Sequence, residues 1–220
     1  ASGDFPENTL LAFRKALESG ASWLELDVHL SADGELVVIH DERLERTTSG
    51  EGLVHDYSLS ELRTLDAGEG EKIPLLGEVF DLVAGRAVVN VDLKGCGTAV
   101  PTARFLATRM DEGQIVAENL LVSSFDLQEL TAFKSCQAGI RLAMIYDQEP
   151  DDLWQQAEEL AVWSLHLDLP IVTREIVEEA HQRGKRLFVF TVNKRADFQH
   201  MQQLGVDGVF TDYPVFEGGA

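Results

Sequence analysis

Glu25 and Asp27 stand two apart in an otherwise apolar run, Trp23-Leu24-Glu25-Leu26-Asp27-Val28. On a β-strand that spacing puts both carboxylates on one face. Two carboxylates aimed into a core are costly unless they are paired or coordinated. The same pattern also suits an exposed strand face or a salt bridge. A second run, Asn90-Val91-Asp92-Leu93-Lys94, repeats the alternation and places Asn90, Asp92 and Lys94 on one face. Glu25, Asp27 and Asp92, completed by water and substrate oxygens, suit a hard divalent cation, Mg²⁺ or Ca²⁺. Lys94 would add a positive charge for a phosphate; alternatively it only pairs with Asp92. His40 closes the apolar run ELVVIH at 35–40 and precedes Asp41. An imidazole titrates near neutrality and suits general acid or base work. Of the other histidines, His29, His55, His181 and His200 read as surface positions, and His166 as a satisfied structural histidine.

These residues need a scaffold. Short apolar runs at 22–28, 87–93, 119–124, 140–145, 163–168, 186–192 and 207–212 read as strands. Helical patterns lie near 7–19, 74–84, 99–111, 126–135, 150–161, 173–183 and 195–204, with a short extra helix near 59–66 opened by a Ser58–Glu61 capping box. Alternation of this kind implies parallel strands. The expectation is an α/β fold, a (β/α)8 barrel in one domain spanning 1–220, with an insertion at about 29–66. A helix comes before the first strand, so the barrel's own first strand is expected ahead of Ala1. A seven-stranded open sheet is the structural alternative.

The insertion breaks the alternation. Strand 22–28 is followed by Ser31-Ala32-Asp33-Gly34 and a second apolar run, too close for a parallel crossover. Asp-Gly marks a hairpin turn. A two-residue turn pairs position 27 with 40, and a four-residue turn pairs 25 with 40. Either register would return His40 to the level of the two carboxylates. Polar residues end other strands: Ser123 and Ser124 before Phe125, Thr191 and Asn193 after Phe190, and Thr211 and Asp212 before Tyr213. Asp126 reads as a helix N-cap.

The formal net charge is −20. A chain this acidic is a poor partner for nucleic acid, which needs clustered Lys and Arg, and an anionic substrate would need a local cation. No apolar run is long enough for a membrane helix, so no stable membrane anchor is expected. Cys96 and Cys136 lack metal-like spacing, and a reduced, cytoplasmic setting is expected. The chain opens at Ala1-Ser2-Gly3 without Met, so a preceding segment, with any targeting signal, is expected. Nothing in the residues fixes an oligomeric state.

Taken together, PENTLLAF at 6–13, ELDVHLSADGELVVIHD at 25–41, ERTTSGEG at 45–52, VDLKG at 91–95, SSF at 123–125, TVN at 191–193 and FTDYP at 210–214 resemble, in type and order, the glycerophosphodiester phosphodiesterase family. The resemblance implies a TIM barrel with a small insertion near its mouth, and cleavage of glycerophosphodiesters to glycerol 3-phosphate and an alcohol. It implies metal ligation by Glu25, Asp27 and Asp92, catalysis by His40, and substrate contact by Lys94. Phe125, Phe190 and Asn193, at strand ends, are the remaining candidates for substrate contact. The family usually has Glu at the position of Asp92. Its signature also begins with a His-Arg-Gly just before the segment at which this chain starts. That tripeptide, with a second proton-transferring histidine, is expected upstream together with the uncounted strand.

Overall fold

The computed structural model describes residues 1–214. The chain opens with α1 (Leu10–Glu18), whose Thr9 side chain accepts from the Ala12 N–H and caps it. Gly20, at φ +89°, supplies the left-handed turn into β1 (Trp23–Leu30). An excursion follows, containing β2 (Leu36–Val38) and the short α2 (Leu59–Leu62) with its Ser58–Glu61 capping box. The chain re-enters through α3 (Leu76–Val83) and β3 (Val88–Leu93). Then come α4 (Ala99–Asp111), β4 (Leu120–Ser124), α5 (Leu127–Cys136), β5 (Arg141–Tyr146), α6 (Leu153–Glu159) and β6 (Ser164–Asp168). α7 (Arg174–Gln182), β7 (Arg186–Phe190), α8 (Arg195–Leu204) and β8 (Gly208–Val209) complete it.

Among the described residues eight strands form one sheet in the order β2-β1-β3-β4-β5-β6-β7-β8. Every neighbouring pair from β1 to β8 is parallel, and β2 alone runs antiparallel, along the edge of β1. Leu26, Val91, Val122, Leu165 and Val189 are all but inaccessible, as expected of strands covered by helices. The sheet curls. Trp23 of β1 stacks on Trp163 at 6.1 Å and meets Phe188 of β7 at 5.8 Å, so strands far apart in the order touch through their rings. Arg141 lies over both indoles and plugs this end of the interior. This is the α/β TIM-barrel architecture. Among the described residues β8 and β1 share no backbone pairing; Gly3 N–H donates to Asp212 O (3.2 Å) across the mouth between them.

The excursion has its own small core of Val37, Ile39, Leu44, Val54, Leu62, Ala67 and Ile73, separate from the main core beneath the helices. The hairpin register differs from both expected values. Leu30 pairs with Leu36 and Val28 with Val38, which brings Leu26, between Glu25 and Asp27, opposite His40. The cause is side-chain chemistry in the turn. Ser31 Oγ accepts from Glu35 N–H (2.9 Å) and donates to Asp33 Oδ1 (2.6 Å), closing a loop wider than Asp33-Gly34 alone. Asp33 also accepts from Leu59 N–H, tying the turn to α2. A one-residue slip reverses facing, so a continued strand would point His40 away from the carboxylates. β2 instead ends at Val38 and the chain bends at His40.

Candidate active site

β1 and β3 are in register, Glu25 beside Asn90 and Asp27 beside Asp92. Glu25, Asp27 and Asp92 therefore stand on one face near the strands' C-terminal ends, where barrel enzymes carry their sites. Each of the three offers an oxygen within 4.8 Å of the others. Asp27 and Asp92 are buried and Glu25 half-buried. Burial pushes the Glu25 carboxyl well above the usual range, and the charges of Asp27 and Asp92 push it further. Burial also raises Asp92, to about 7, against the pull of Lys94. Lys94 Nζ sits 3.1 Å from Asp92 and 3.7 Å from Asp27. Burial alone would lower its pKa, but Asp92 and Asp27 hold it above its ordinary value. One ammonium among three carboxylates leaves an excess of negative charge in a poorly solvated place.

Neutral groups surround the cluster. Asn8 Nδ2 donates to Asp27 Oδ2 at 2.8 Å. Asn90 Nδ2 donates to Ser123 Oγ (3.0 Å), which faces Asp92 Oδ1 at 3.4 Å. Asn90 Oδ1, beside Glu25, is buried with no hydrogen-bond partner among the described residues. The loop after Lys94 is held from behind by the buried Glu129, whose carboxylate accepts from the N–H groups of Gly97 (2.7 Å) and Ala99 (2.8 Å). Asn8 and Glu129 escape a reading based on spacing, because their contacts span long stretches of chain. The one local hint is Asn8 at φ 55°, a conformation Asn tolerates, ahead of an N-cap that Thr9 already supplies.

His40 reaches the carboxylates indirectly. It lines a small cavity with Glu7, Asn8, Thr47 and Thr48, and Asn8 joins that cavity to Asp27. His29, expected at the surface, is buried instead. β1 runs on to Leu30, so the alternation that turns residues 25 and 27 inward turns 29 inward too. His29 Nε2 lies 3.1 Å from His40 O. A Cβ on Gly95 would come within 3.0 Å of His29 Nδ1, so the glycine after Lys94 makes room for this ring. His166 is structural but only half satisfied. Its Nε2 meets Ser164 Oγ at 3.2 Å, its Nδ1 has no partner among the described residues, and burial pushes its pKa down to about 3.

At the mouth Phe125 is exposed, packs edge-on against Phe190 (6.1 Å), and carries Lys94 Nζ over its ring at 4.8 Å. Asn193 stands exposed at the rim, where its Nδ2 donates to Asp212 Oδ2 (2.6 Å) and its Oδ1 accepts from Asp212 N–H (2.9 Å), so the amide braces two rim loops. Ser124 likewise works inward, donating to Leu93 O at 2.7 Å. Asp126 caps α5 as expected. Cys96 and Cys136 are exposed free thiols. Among the described residues no helix is long and apolar enough to cross a membrane.

The glycerophosphoryl diester phosphodiesterase family matches this chain over residues 1–215. The chain is 37% identical to a glycerophosphodiester phosphodiesterase of Caldanaerobacter subterraneus subsp. tengcongensis, over 97% of this chain and 91% of that protein. It is also 37% identical to one from Bacillus altitudinis, over 96% and 91% respectively. A solved Oleispira antarctica phosphodiesterase, in complex with the product sn-glycerol-3-phosphate, shares the fold with a TM-score of 0.88 at 32% identity, covering 97% of this chain and 90% of that one. The chain belongs to the glycerophosphoryl diester phosphodiesterase family.

Proposed function

We propose that this protein hydrolyses glycerophosphodiesters to glycerol 3-phosphate and an alcohol, with a divalent cation, Mg²⁺ or Ca²⁺, held by Glu25, Asp27 and Asp92. The observation that carries the reading is the cluster of three carboxylate oxygens within 4.8 Å at the barrel mouth. The donor set fits the cation. All three ligands are hard oxygens, Glu25 and Asp92 are pushed towards their protonated forms in spite of Lys94, and Asn90 Oδ1 is a further buried oxygen with no partner among the described residues. Such a cation supplies Lewis-acid polarisation of a phosphate oxygen and offsets charge building in the transition state.

The protein's own groups do the rest. Lys94, half-exposed over Phe125, offers its ammonium to a second phosphate oxygen. Asn8 keeps Asp27 oriented. His40, beside Asn8 in the small cavity, transfers a proton to or from the reacting oxygens through Nε2. Phe125 and Phe190 form an apolar edge against which a glycerol or alcohol carbon can lie. Glycerol 3-phosphate released from glycerophosphocholine, measured with cation and with chelator for the protein, Glu25→Gln and His40→Ala, tests this reading. Release should need the cation and fall in both variants, by about 10²- to 10⁴-fold for His40→Ala. Wild-type rates in both would overturn the site assignment.

A further inference from the structure

Asp41 follows His40 directly and meets it at 2.6 Å, Oδ1 to Nδ1. Its other neighbour is Arg46. Arg46 Nε donates to Asp41 Oδ2 at 2.5 Å and its Nη2 to Oδ1 at 2.9 Å, while Nη1 and Nη2 also reach the two oxygens of Glu7 at 2.8 and 2.6 Å. The guanidinium thus forks onto two carboxylates at once, one from the excursion and one from the segment before α1. Asp41 Oδ2 is committed to Arg46, and Oδ1 is shared between Arg46 and the imidazole. Bidentate pairing of this kind fixes orientation as well as charge. Arg46, followed by His40, holds the Asp41 carboxyl far below the usual carboxylate range. An ionised carboxylate only accepts hydrogen bonds, so the nitrogen facing it must carry the proton.

The backbone of His40 is held as well. His29, buried and wedged beside Gly95, contacts the His40 carbonyl oxygen through Nε2. His40 is therefore gripped at its carbonyl by β1 and at its ring by Asp41, while its side chain remains about half exposed. That is more restraint than a lone surface histidine needs.

We propose that Asp41 is a positioning residue for His40, clamped by Arg46, holding the imidazole as the Nδ1–H tautomer with Nε2 free towards the substrate. A free imidazole has no such constraint, and here the tautomer is set by the hydrogen bond at the other nitrogen. Arg46 acts one step further out, by keeping Asp41 from turning. Glu7 anchors the guanidinium and joins the clamp to the segment carrying Asn8, so the two halves of the site are tied together on the protein side. The remaining groups near His40 are Asn8 and Glu7 across the cavity and His29 behind the carbonyl. The inference rests on His40 being the proton-transferring group.

The test is nitrogen-15 NMR of the histidine-labelled full chain, with His40 assigned from its loss in His40→Gln, alongside pH profiles of kcat and KM. The expected spectrum of the wild-type protein shows His40 in the Nδ1–H tautomer when neutral. In Asp41→Asn, kcat should fall about 10- to 10³-fold with KM nearly unchanged, and the pH profile of kcat should move because the carboxylate facing the imidazole is gone. Arg46→Gln should lose most of the activity and Arg46→Lys an intermediate share, since Lys keeps a cation beside Asp41 but not the fork that holds it. A wild-type His40 in the Nε2–H tautomer overturns the proposal, and that spectrum depends on no variant folding. An unshifted pH profile in well-folded Asp41→Asn also overturns it. If His40→Ala keeps full activity, the functional reading falls instead, and the tautomer still reports on the clamp.

Discussion

The carboxylates of β1 and β3 sit on strands paired residue for residue, Glu25 beside Asn90 and Asp27 beside Asp92. His40 sits where a strand has just ended, on an excursion with a core of its own. In the barrel half, backbone pairing dictates position, and like charges are brought together against their preference. In the excursion half, position comes from ion pairs at the surface, Arg46 to Asp41 and Glu7, which satisfy the charges they fix. Single exposed ion pairs are weak, so a network sharing one guanidinium is the more effective device. A site built from both kinds of support should fail in two distinguishable ways.

The largest expected effect comes from neutralising a carboxylate in the barrel half. Glu25→Gln should lower turnover by about 10³-fold or more, since several kcal/mol of transition-state stabilisation is attributed to a bound cation. The same change should raise, or at least not lower, the melting temperature of the chelator-treated protein at pH 8, because a neutral amide replaces a carboxyl whose ionisation is resisted. A gain of about 1 kcal/mol would show as roughly 2–4 °C. His40→Ala should lose activity with no change in melting temperature. The contrast collapses if Glu25→Gln is clearly less stable than wild type under chelation.

The small core offers the next test. Leu62 is fully buried there, and a buried Leu→Ala change costs about 2–5 kcal/mol. If the excursion is a separate unit of stability, Leu62→Ala should loosen it locally. Hydrogen exchange should quicken in residues 36–75 while β3 to β7 keep their protection. kcat should fall and calorimetric affinity for Mg²⁺ should hold. Uniform loss of protection across the strands would show instead that the two cores unfold as one.

The same contrast explains what could be read from the residues alone. The alternation of strands and helices was visible throughout, and α4 and α8 begin and end where the pattern predicted. The carboxylate cluster was visible too, because period-two spacing and parallel register are regular features of a strand. The hairpin register was not, since it depends on Ser31 Oγ closing the turn rather than on turn length. His29 lies on the same alternation that finds Asp27 and escapes it because the apolar run expected as a strand stops at Val28, two residues short of the end of β1. Asn8, Arg46 and Glu129 depend on contacts between distant segments, which no local periodicity encodes.

Electrostatic tension in the barrel half predicts a pH signature, the smallest of these effects. Asp92 rises from 3.8 to about 7 on folding, and Glu25 moves in the same direction. A carboxyl whose folded pKa is raised binds its proton more readily when folded. It therefore stabilises the protein as pH falls, and costs stability as pH rises through the folded value. His166 works oppositely. Its pKa drops from 6.5 to about 3, so stability present above pH 6.5 is lost as pH falls towards 3. Between about pH 8 and 6.5 the raised carboxyls act against the Ala1 amino group, whose pKa burial lowers from 8.0, so the chelator-treated protein should gain stability on acidification relative to the cation-loaded protein, by at most about 1.4 kcal/mol per pH unit for each proton. Below that the losses at His166 and at His29, whose pKa burial also lowers, oppose the gain and the curve should flatten, then fall. Saturating cation holds the carboxylates ionised in both limbs and should abolish the gain, leaving the acid loss in place. Melting curves with Mg²⁺ and with chelator across this range decide the matter. Identical alkaline slopes in the two would mean that Glu25 and Asp92 are not the groups a cation relieves.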